Sequence, residues 1–317
     1  LSEAAPLVAT PAAPIPSGGA AEWFVGAGGA RLRAALFVPP ANARGSVVLS
    51  PGRTEPIEKY FEVVDVLNAR GFTVLVHDWR GQGLSHRVLA DRSLGHAVGH
   101  RDFLSDYGAL IAAFETRLPR PWIALGHSMG GCLTLLALAG GEDRFAGAIL
   151  SAPMLGLITG ATPRPLGRAL AAVMTGIGRG AAPVQRGAAA LDDAFEANIL
   201  THDRARYERN LAQVAACPDL ALGSPTWGWL DFAFSAVREL ERGAGVTRIA
   251  APVTVVAAAD DRLVDNAGSR RVTVRIPRGL FVEIPGAYHE ILQETDSIQA
   301  VFWREFDELA AGIAPNG

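Results

Sequence analysis

Trp122-Ile123-Ala124-Leu125-Gly126-His127-Ser128-Met129-Gly130-Gly131 reads as a buried strand, a tight turn and the start of a helix. Trp122 to Leu125 is a short apolar strand, and Met129 to Ala139 an apolar helix. Between them, Gly126-x-Ser128-x-Gly130 has the spacing of a nucleophile elbow, where a serine held on a strained strand-to-helix turn projects its hydroxyl from the carboxyl end of a sheet. Gly126 and Gly130 keep Cβ atoms out of the crowded turn, and Gly131 adds room. The helix N-terminus beside Ser128 presents N–H groups and a dipole to a developing oxyanion. The pattern alone is weak in a chain with 35 glycines. Its flanking strand and helix, and the partners downstream, give it weight.

Outward from this turn the same rhythm repeats. Trp23-Phe24-Val25 and Arg31 to Val38 read as two strands joined by the Gly-rich turn 26–29, and Pro39-Pro40 ends the hairpin. Val47 to Ser50 is a short apolar strand broken by Pro51-Gly52. Ile57 to Ala69 has helical spacing, with Tyr60, Phe61, Val64 and Leu67 on one face and Gly71 as the stop. Thr73 to Val76 is a strand, Phe103 to Leu118 an amphipathic helix and Ala146 to Ser151 a strand. From Pro153 to Gly243 the rhythm stops, and a helical pattern runs between Pro163, Pro165, Pro183, Pro218 and Pro225. It resumes with strands at Val253 to Ala258 and Leu280 to Ile284 and a helix at Ser297 to Ala311. Continuously apolar strands alternating with helices predict an α/β fold with a mostly parallel sheet covered on both faces. The predicted organisation is an Ala/Pro-rich extension over 1–21, a core of 22–152 and 244–317, and a helical cap inserted over 153–243.

Composition narrows the function classes. The 317 residues are 49% apolar and 19% charged, with a net charge of −3, which suits a sizeable buried core. No basic stripe or acidic tail marks a nucleic-acid partner. Cys132 and Cys217 are too few and too far apart for a disulfide framework or a metal cluster. Residues 1–21 lack the basic start and continuous apolar run of a signal peptide, and no apolar run reaches the length of a membrane span. The expectation is a cytoplasmic protein.

A serine alcohol needs a base. In the order serine, acid, histidine, only His202 and His289 follow Ser128. His202 falls inside the predicted cap. His289 follows the strand Leu280 to Ile284 and the breaker Pro285-Gly286, on a loop from which it could reach Ser128. The acid must come from the loop after Val253 to Ala258. Asp260 and Asp261 both lie there, pointing in different directions, and Asp265 is a third option. A buried carboxylate on the histidine Nδ1–H would fix the tautomer and stabilise the imidazolium formed during attack. His77, His86, His96 and His100 lie mostly on loops without ligand spacing, so no metal and no cofactor are predicted. His127, beside the serine, is aimed away from substrate and reads as packing.

With these residues in place, the chain resembles the α/β-hydrolases of the monoacylglycerol lipase and lysophospholipase L2 group, hydrolases of the serine aminopeptidase S33 type. The likeness rests on Pro51-Gly52-Arg53 with Glu58-Lys59-Tyr60, Asp78 to Ser85, Gly126 to Gly131, Asp261-Arg262-Leu263-Val264-Asp265, and Gly286-Ala287-Tyr288-His289-Glu290. The Pro-Gly-Arg segment and His289-Glu290-Ile291-Leu292 bring it nearer to lysophospholipase L2. The resemblance implies an eight-stranded sheet, Ser128 as nucleophile, Asp261 as acid and His289 as base. It also implies an oxyanion hole from the N–H groups of Met129 and Arg53, with Gly52 the neighbour to watch. Asp78 to Ser85 would be a structural turn, permitted by Gly81 and Gly83 and pinned by Asp78 and Arg80.

The resemblance makes 153–243 a cap. There Trp227, Trp229, Phe232 and Phe234 form either the cap's own core or a wall of an acyl pocket, with Leu155 facing the same space. Arg53, Lys59 and Arg87 read as solvated surface or as contacts to a phosphate. The predicted activity is hydrolysis of carboxylic esters with apolar acyl groups, with a small ester or lipid as substrate and transient contact with a lipid surface. The rivals are an amidase or peptidase on the same fold and a non-catalytic binding protein.

Overall fold

The computed structural model describes residues 3–185 and 194–314. Its elements, in chain order, are β1 (Ala4–Ala5), β2 (Gly19–Val25), β3 (Arg31–Phe37), β4 (Gly45–Ser50), α1 (Phe61–Ala69), β5 (Phe72–His77), α2 (Arg101–Phe114), β6 (Trp122–His127), α3 (Met129–Ala139), β7 (Phe145–Ser151), α4 (Arg164–Met174), α5 (Arg204–Ala216), α6 (Trp227–Arg242), β8 (Val253–Ala258), α7 (Asn266–Thr273), β9 (Gly279–Ile284) and α8 (Asp296–Ile313). The strands make one sheet in the order β1-β2-β3-β5-β4-β6-β7-β8-β9. The first three pairings are antiparallel and the rest parallel. The expected eight strands are present, together with the two-residue β1 at the edge.

The central strands β4, β5, β6 and β8 are buried at every position because helices cover both faces. One face carries α2 and α3, with Tyr107, Leu110, Cys132 and Leu133 in the core. The other carries α1 and α8, with Phe61, Val64, Phe302 and Phe306. α3 is apolar almost all round because it lies between the sheet and α6. β9 is an exception to the buried reading. It closes the sheet edge and leaves Leu280 half exposed.

The segment expected to be an extension is built into this frame. β2 starts at Gly19, and Ala4 pairs with Glu22. The Pro6 carbonyl accepts from Arg33 Nη1 at 2.9 Å, and the Val8 N–H donates to Glu58 Oε1 at 3.1 Å. Arg33 itself is fully buried between Asp78 (2.8 Å) and Glu58 (2.7 Å). Burial alone would depress its guanidinium, but the two carboxylates hold it above the ordinary value.

Among the described residues, 153–243 adds helices but no strand to the sheet. α6 packs on α3 and α4. Along α4 and the turn after it, Leu166, Leu170, Val173 and Ile177 recur at helical spacing and are exposed. No helix among the described residues is long and apolar enough to cross a membrane.

Candidate active site

Ser128 sits at the junction of β6 and α3 with φ 50° and ψ −116°, a conformation few non-glycine residues adopt. The surroundings over-determine it. The Ser128 N–H donates to the Ser151 carbonyl at 3.0 Å, and its own carbonyl accepts from Met154 N–H at 2.9 Å and Cys132 N–H at 3.0 Å. A Cβ on Gly130 would stand 2.1 Å from the Ser50 carbonyl oxygen, and one on Gly126 2.7 Å from Gly131 Cα. Only glycine lets these backbones meet, which is the physical reason for the spacing around the serine.

The loops after β6, β8 and β9 bring three side chains into one line. His289 Nε2 is 3.0 Å from Ser128 Oγ, and His289 Nδ1 is 2.7 Å from Asp261 Oδ2. The other carboxylate oxygen of Asp261 accepts the N–H groups of Leu263 (2.8 Å) and Val264 (2.9 Å). The Asp261 carboxylate is sealed from solvent, whereas its neighbour Asp260 is exposed. Asp265 instead caps α7, accepting the Ala267 N–H at 3.0 Å, and pairs with Arg164. Burial would raise the Asp261 carboxyl, but its bond and charge interaction with His289 and the two backbone donors bring it below the ordinary value. Burial would depress His289, and the hydrogen bond and charge of Asp261 turn that into a rise.

Among the described residues two backbone N–H groups near the elbow have no acceptor. Met129 opens α3, so its N–H has no partner within the helix. Among the described residues the Arg53 N–H meets no acceptor, while the Gly52 N–H is tied to Glu55 Oε2. Thr54 follows with φ 67°, a second strained position in this loop.

Behind that loop lies a cluster whose part in the site the sequence did not reveal. Glu55 is buried and accepts from Gly52 N–H, from Tyr60 Oη at 2.5 Å and from Lys59 Nζ at 2.9 Å. Lys59 Nζ also pairs with Glu290 at 2.5 Å. Burial would raise Glu55, yet Lys59, His127 and Tyr60 bring it down to about 2. Lys59 is thus no surface residue. Arg87 is likewise taken up internally, its N–H groups on the carbonyls of Gly81, Gly83, Asp219 and Ala221. The available signals were Glu290 adjoining His289 and the quoted Glu58-Lys59-Tyr60. Their meeting across the fold is a long-range contact without a local pattern.

The remaining residues divide. His127 is buried, with Nδ1 3.1 Å from the Ser151 carbonyl, its ring 4.9 Å from that of His289, and burial keeping it below its usual range. His202 stacks on Tyr288 and meets Glu294 at 2.8 Å. Asp78 receives Arg33, Ile57 N–H and Leu84 N–H, and so pins its turn. Of the aromatic wall, Trp229 borders a small cavity of about 10 Å³ together with Met129, Phe103 and Leu222. Leu155 and Phe232 do not line it. Both are packed into the core, Phe232 against the Phe103 ring at 5.1 Å, because α6 turns that face onto α3. Trp227 is half-buried at the start of α6. Among the described residues no group of His, Cys, Asp or Glu is arranged to hold a metal.

Residues 41–296 match the family model described as serine aminopeptidase, S33. The chain belongs to the S33 family. A lysophospholipase L2 from Escherichia coli K12 is 36% identical to this S33 member over 270 residues, spanning 80% of this chain and 77% of that protein. A monoacylglycerol lipase from Mycolicibacterium smegmatis is 29% identical over 283 residues, spanning 86% and 91%. The crystal structure of a monoacylglycerol lipase from Paleococcus ferrophilus superposes with a TM-score of 0.70 at 23% identity, covering 88% of this chain and 98% of that one. The S33 member therefore has the α/β-hydrolase fold that the resemblance implied, with the mostly parallel sheet that its strand rhythm predicted.

Proposed function

We propose that this S33-family chain hydrolyses carboxylic esters with apolar acyl groups through an acyl-enzyme. The observation that carries this is the hydrogen-bonded line Ser128–His289–Asp261 at a strained elbow. Ser128 Oγ attacks the ester carbonyl carbon as its proton passes to His289 Nε2, and Asp261 stabilises the imidazolium. The carbonyl oxygen becomes an oxyanion held by the N–H groups of Met129 and Arg53. Collapse breaks the bond to the alcohol, which leaves with the proton from His289. Water then attacks the acyl-serine, giving one proton to His289. The acid departs, and that proton returns to Ser128.

Both named relatives are lipid esterases, which supports an acylglycerol or lysophospholipid as substrate class. The cavity of about 10 Å³ beside Met129 is too small for an acyl chain, so a chain bound there would need the contact of Gly95 with Pro225, or the Trp229 side chain, to give way. The exposed stripe Leu166, Leu170, Val173 and Ile177 suits contact with a lipid surface. The aminopeptidase in the family's description would need a free carboxylate for the substrate ammonium. Asp261, Glu55 and Glu290 are all engaged within the protein.

A fluorophosphonate probe should label Ser128, and Ser128→Ala should lose both labelling and turnover of a p-nitrophenyl ester. A Ser128→Ala protein with wild-type turnover would sink the proposal.

A further inference from the structure

Among the described residues the cations around the catalytic loops differ in their partners. Arg33 has Glu58 and Asp78, and Lys59 has Glu55 and Glu290. Arg87 has four carbonyls, though its Nε has no partner. Arg53 has fewer acceptors than any of these. Its residue is only half-buried, yet its Nε is closed off from solvent and has no hydrogen-bond partner. Its guanidinium donates to the Gly223 carbonyl and lies over the Trp229 ring, 5.2 Å from the centroid. Among the described residues no carboxylate pairs with it. Burial pushes it down to about 10, which leaves it charged at neutral pH. An unpaired cation in such a place is unfavourable unless an anion completes it.

The surroundings leave space for this side chain. A Cβ on Gly95 would come within 2.8 Å of Arg53 Nη2. Gly95 and Trp229 also border the small cavity that reaches Met129, the first residue of α3. Arg53 thus runs from the loop beside Ser128 to the wall of that cavity.

We propose that the Arg53 side chain is the subsite for the phosphodiester of a lysophospholipid, while its own N–H holds the oxyanion. This rests on the ester-hydrolase reading above. In a 1-acyl lysophospholipid about six covalent bonds separate the carbonyl carbon from phosphorus, and about six separate the backbone nitrogen of an arginine from Cζ. One residue can therefore span the reacting carbonyl and the phosphate together. The fork of guanidinium N–H groups matches phosphate oxygens, and only part of it is used by Gly223. A monoacylglycerol offers the same ester and no anion.

The test compares 1-palmitoyl lysophosphatidylcholine with 1-palmitoylglycerol on wild type, Arg53→Gln and Arg53→Lys. Disturbance of the oxyanion loop affects both substrates alike and cancels in the ratio of their kcat/KM values. The ratio of phospholipid to acylglycerol should fall about ten- to a hundredfold in Arg53→Gln, and by less in Arg53→Lys. An unchanged ratio in both variants overturns the proposal and leaves Arg53 as a tie between loop and cap. Should the variants not fold, wild-type protein supplies the second arm. sn-Glycerol 3-phosphate should inhibit hydrolysis of a soluble ester competitively, at concentrations where glycerol and inorganic phosphate do nothing. Equal inhibition by inorganic phosphate, or none by glycerol phosphate, also overturns it. Wild-type protein inert toward both lipids would instead remove the ester-hydrolase reading, and this inference with it.

Discussion

Asp261→Asn tests the site at a single atom. The two oxygens of Asp261 have separate duties: Oδ1 accepts the N–H groups of Leu263 and Val264, and Oδ2 accepts from His289 Nδ1. An asparagine must keep its oxygen toward the two backbone donors, because an NH₂ group there would face N–H groups in a buried place. Its NH₂ then points at His289 Nδ1 and donates to it. The proton of neutral His289 moves to Nε2, which can no longer accept from Ser128 Oγ at 3.0 Å. The same tautomer fault in a serine protease costs about 10⁴ in kcat, so a loss of about 10³ to 10⁴, roughly 4–5.5 kcal/mol, is expected here. Stability should change little, since size and backbone bonds are kept. The pH profile adds a sign. His289 must be neutral to act as base, so activity rises with pH through its pKa. Asp261 raises that pKa, and its neutral replacement shifts the acid limb to lower pH on a much lower plateau. The assay is kcat/KM on a p-nitrophenyl ester across the acid limb, with exposed Asp260→Asn as companion, expected to stay near wild type. An Asp261→Asn enzyme within about tenfold of wild type, or a larger loss at Asp260, refutes the reasoning.

Three further changes probe the frame. Gly130→Ala puts a methyl group 2.1 Å from the Ser50 carbonyl and should destabilise by about 3 kcal/mol or more, read as a lowered urea midpoint; an unchanged midpoint with wild-type turnover would contradict it. Lys59→Met leaves Glu55 and Glu290 buried without their shared cation, for a loss of about 3–5 kcal/mol and a clear fall in Tm; no fall would mean that the cluster is not charged as described. Replacing Leu166, Leu170 and Ile177 together by serine should lower the ratio of activity on vesicle-held ester to activity on a soluble ester, and an unchanged ratio would remove the lipid contact.

Much of the fold was open to reading because it is written locally. β4, β6 and β8 are short apolar runs between breakers, and the elbow combines a strand, two close-packed glycines and a helix start in a few residues. The choice between Asp260 and Asp261 was not local. It turns on which side chain the bonds to Leu263 and Val264 draw inward, and only the family likeness anticipated it. The contact of residues 4–8 with β2, Arg33 and Glu58 was hidden because an Ala/Pro-rich stretch has no period to betray its pairing. The cluster of Glu55, Lys59 and Glu290 was hidden for a related reason. Charged residues far apart in sequence read as surface until tertiary pairing buries them.

The excursion of residues 153–243 begins after β7 and ends before β8, and those two strands hydrogen-bond to each other from Ala148–Val253 to Ser151–Val256. Its two ends are therefore clasped by the sheet, whatever hangs between them. Met154 and Leu157 remain tied to Ser128 and Val264, so the exchangeable portion starts just beyond. A chimera that replaces everything from about residue 159 to Gly243 keeps Ser128, Asp261 and His289 in the retained chain but removes Leu200, whose carbonyl accepts the Glu290 N–H at 2.9 Å, and His202, which stacks on Tyr288. The stretch is thus anchored twice, by the paired strands at its ends and by Leu200 and His202 at the loop after β9, and any transplant has to reproduce that second anchor to leave His289 where it stands.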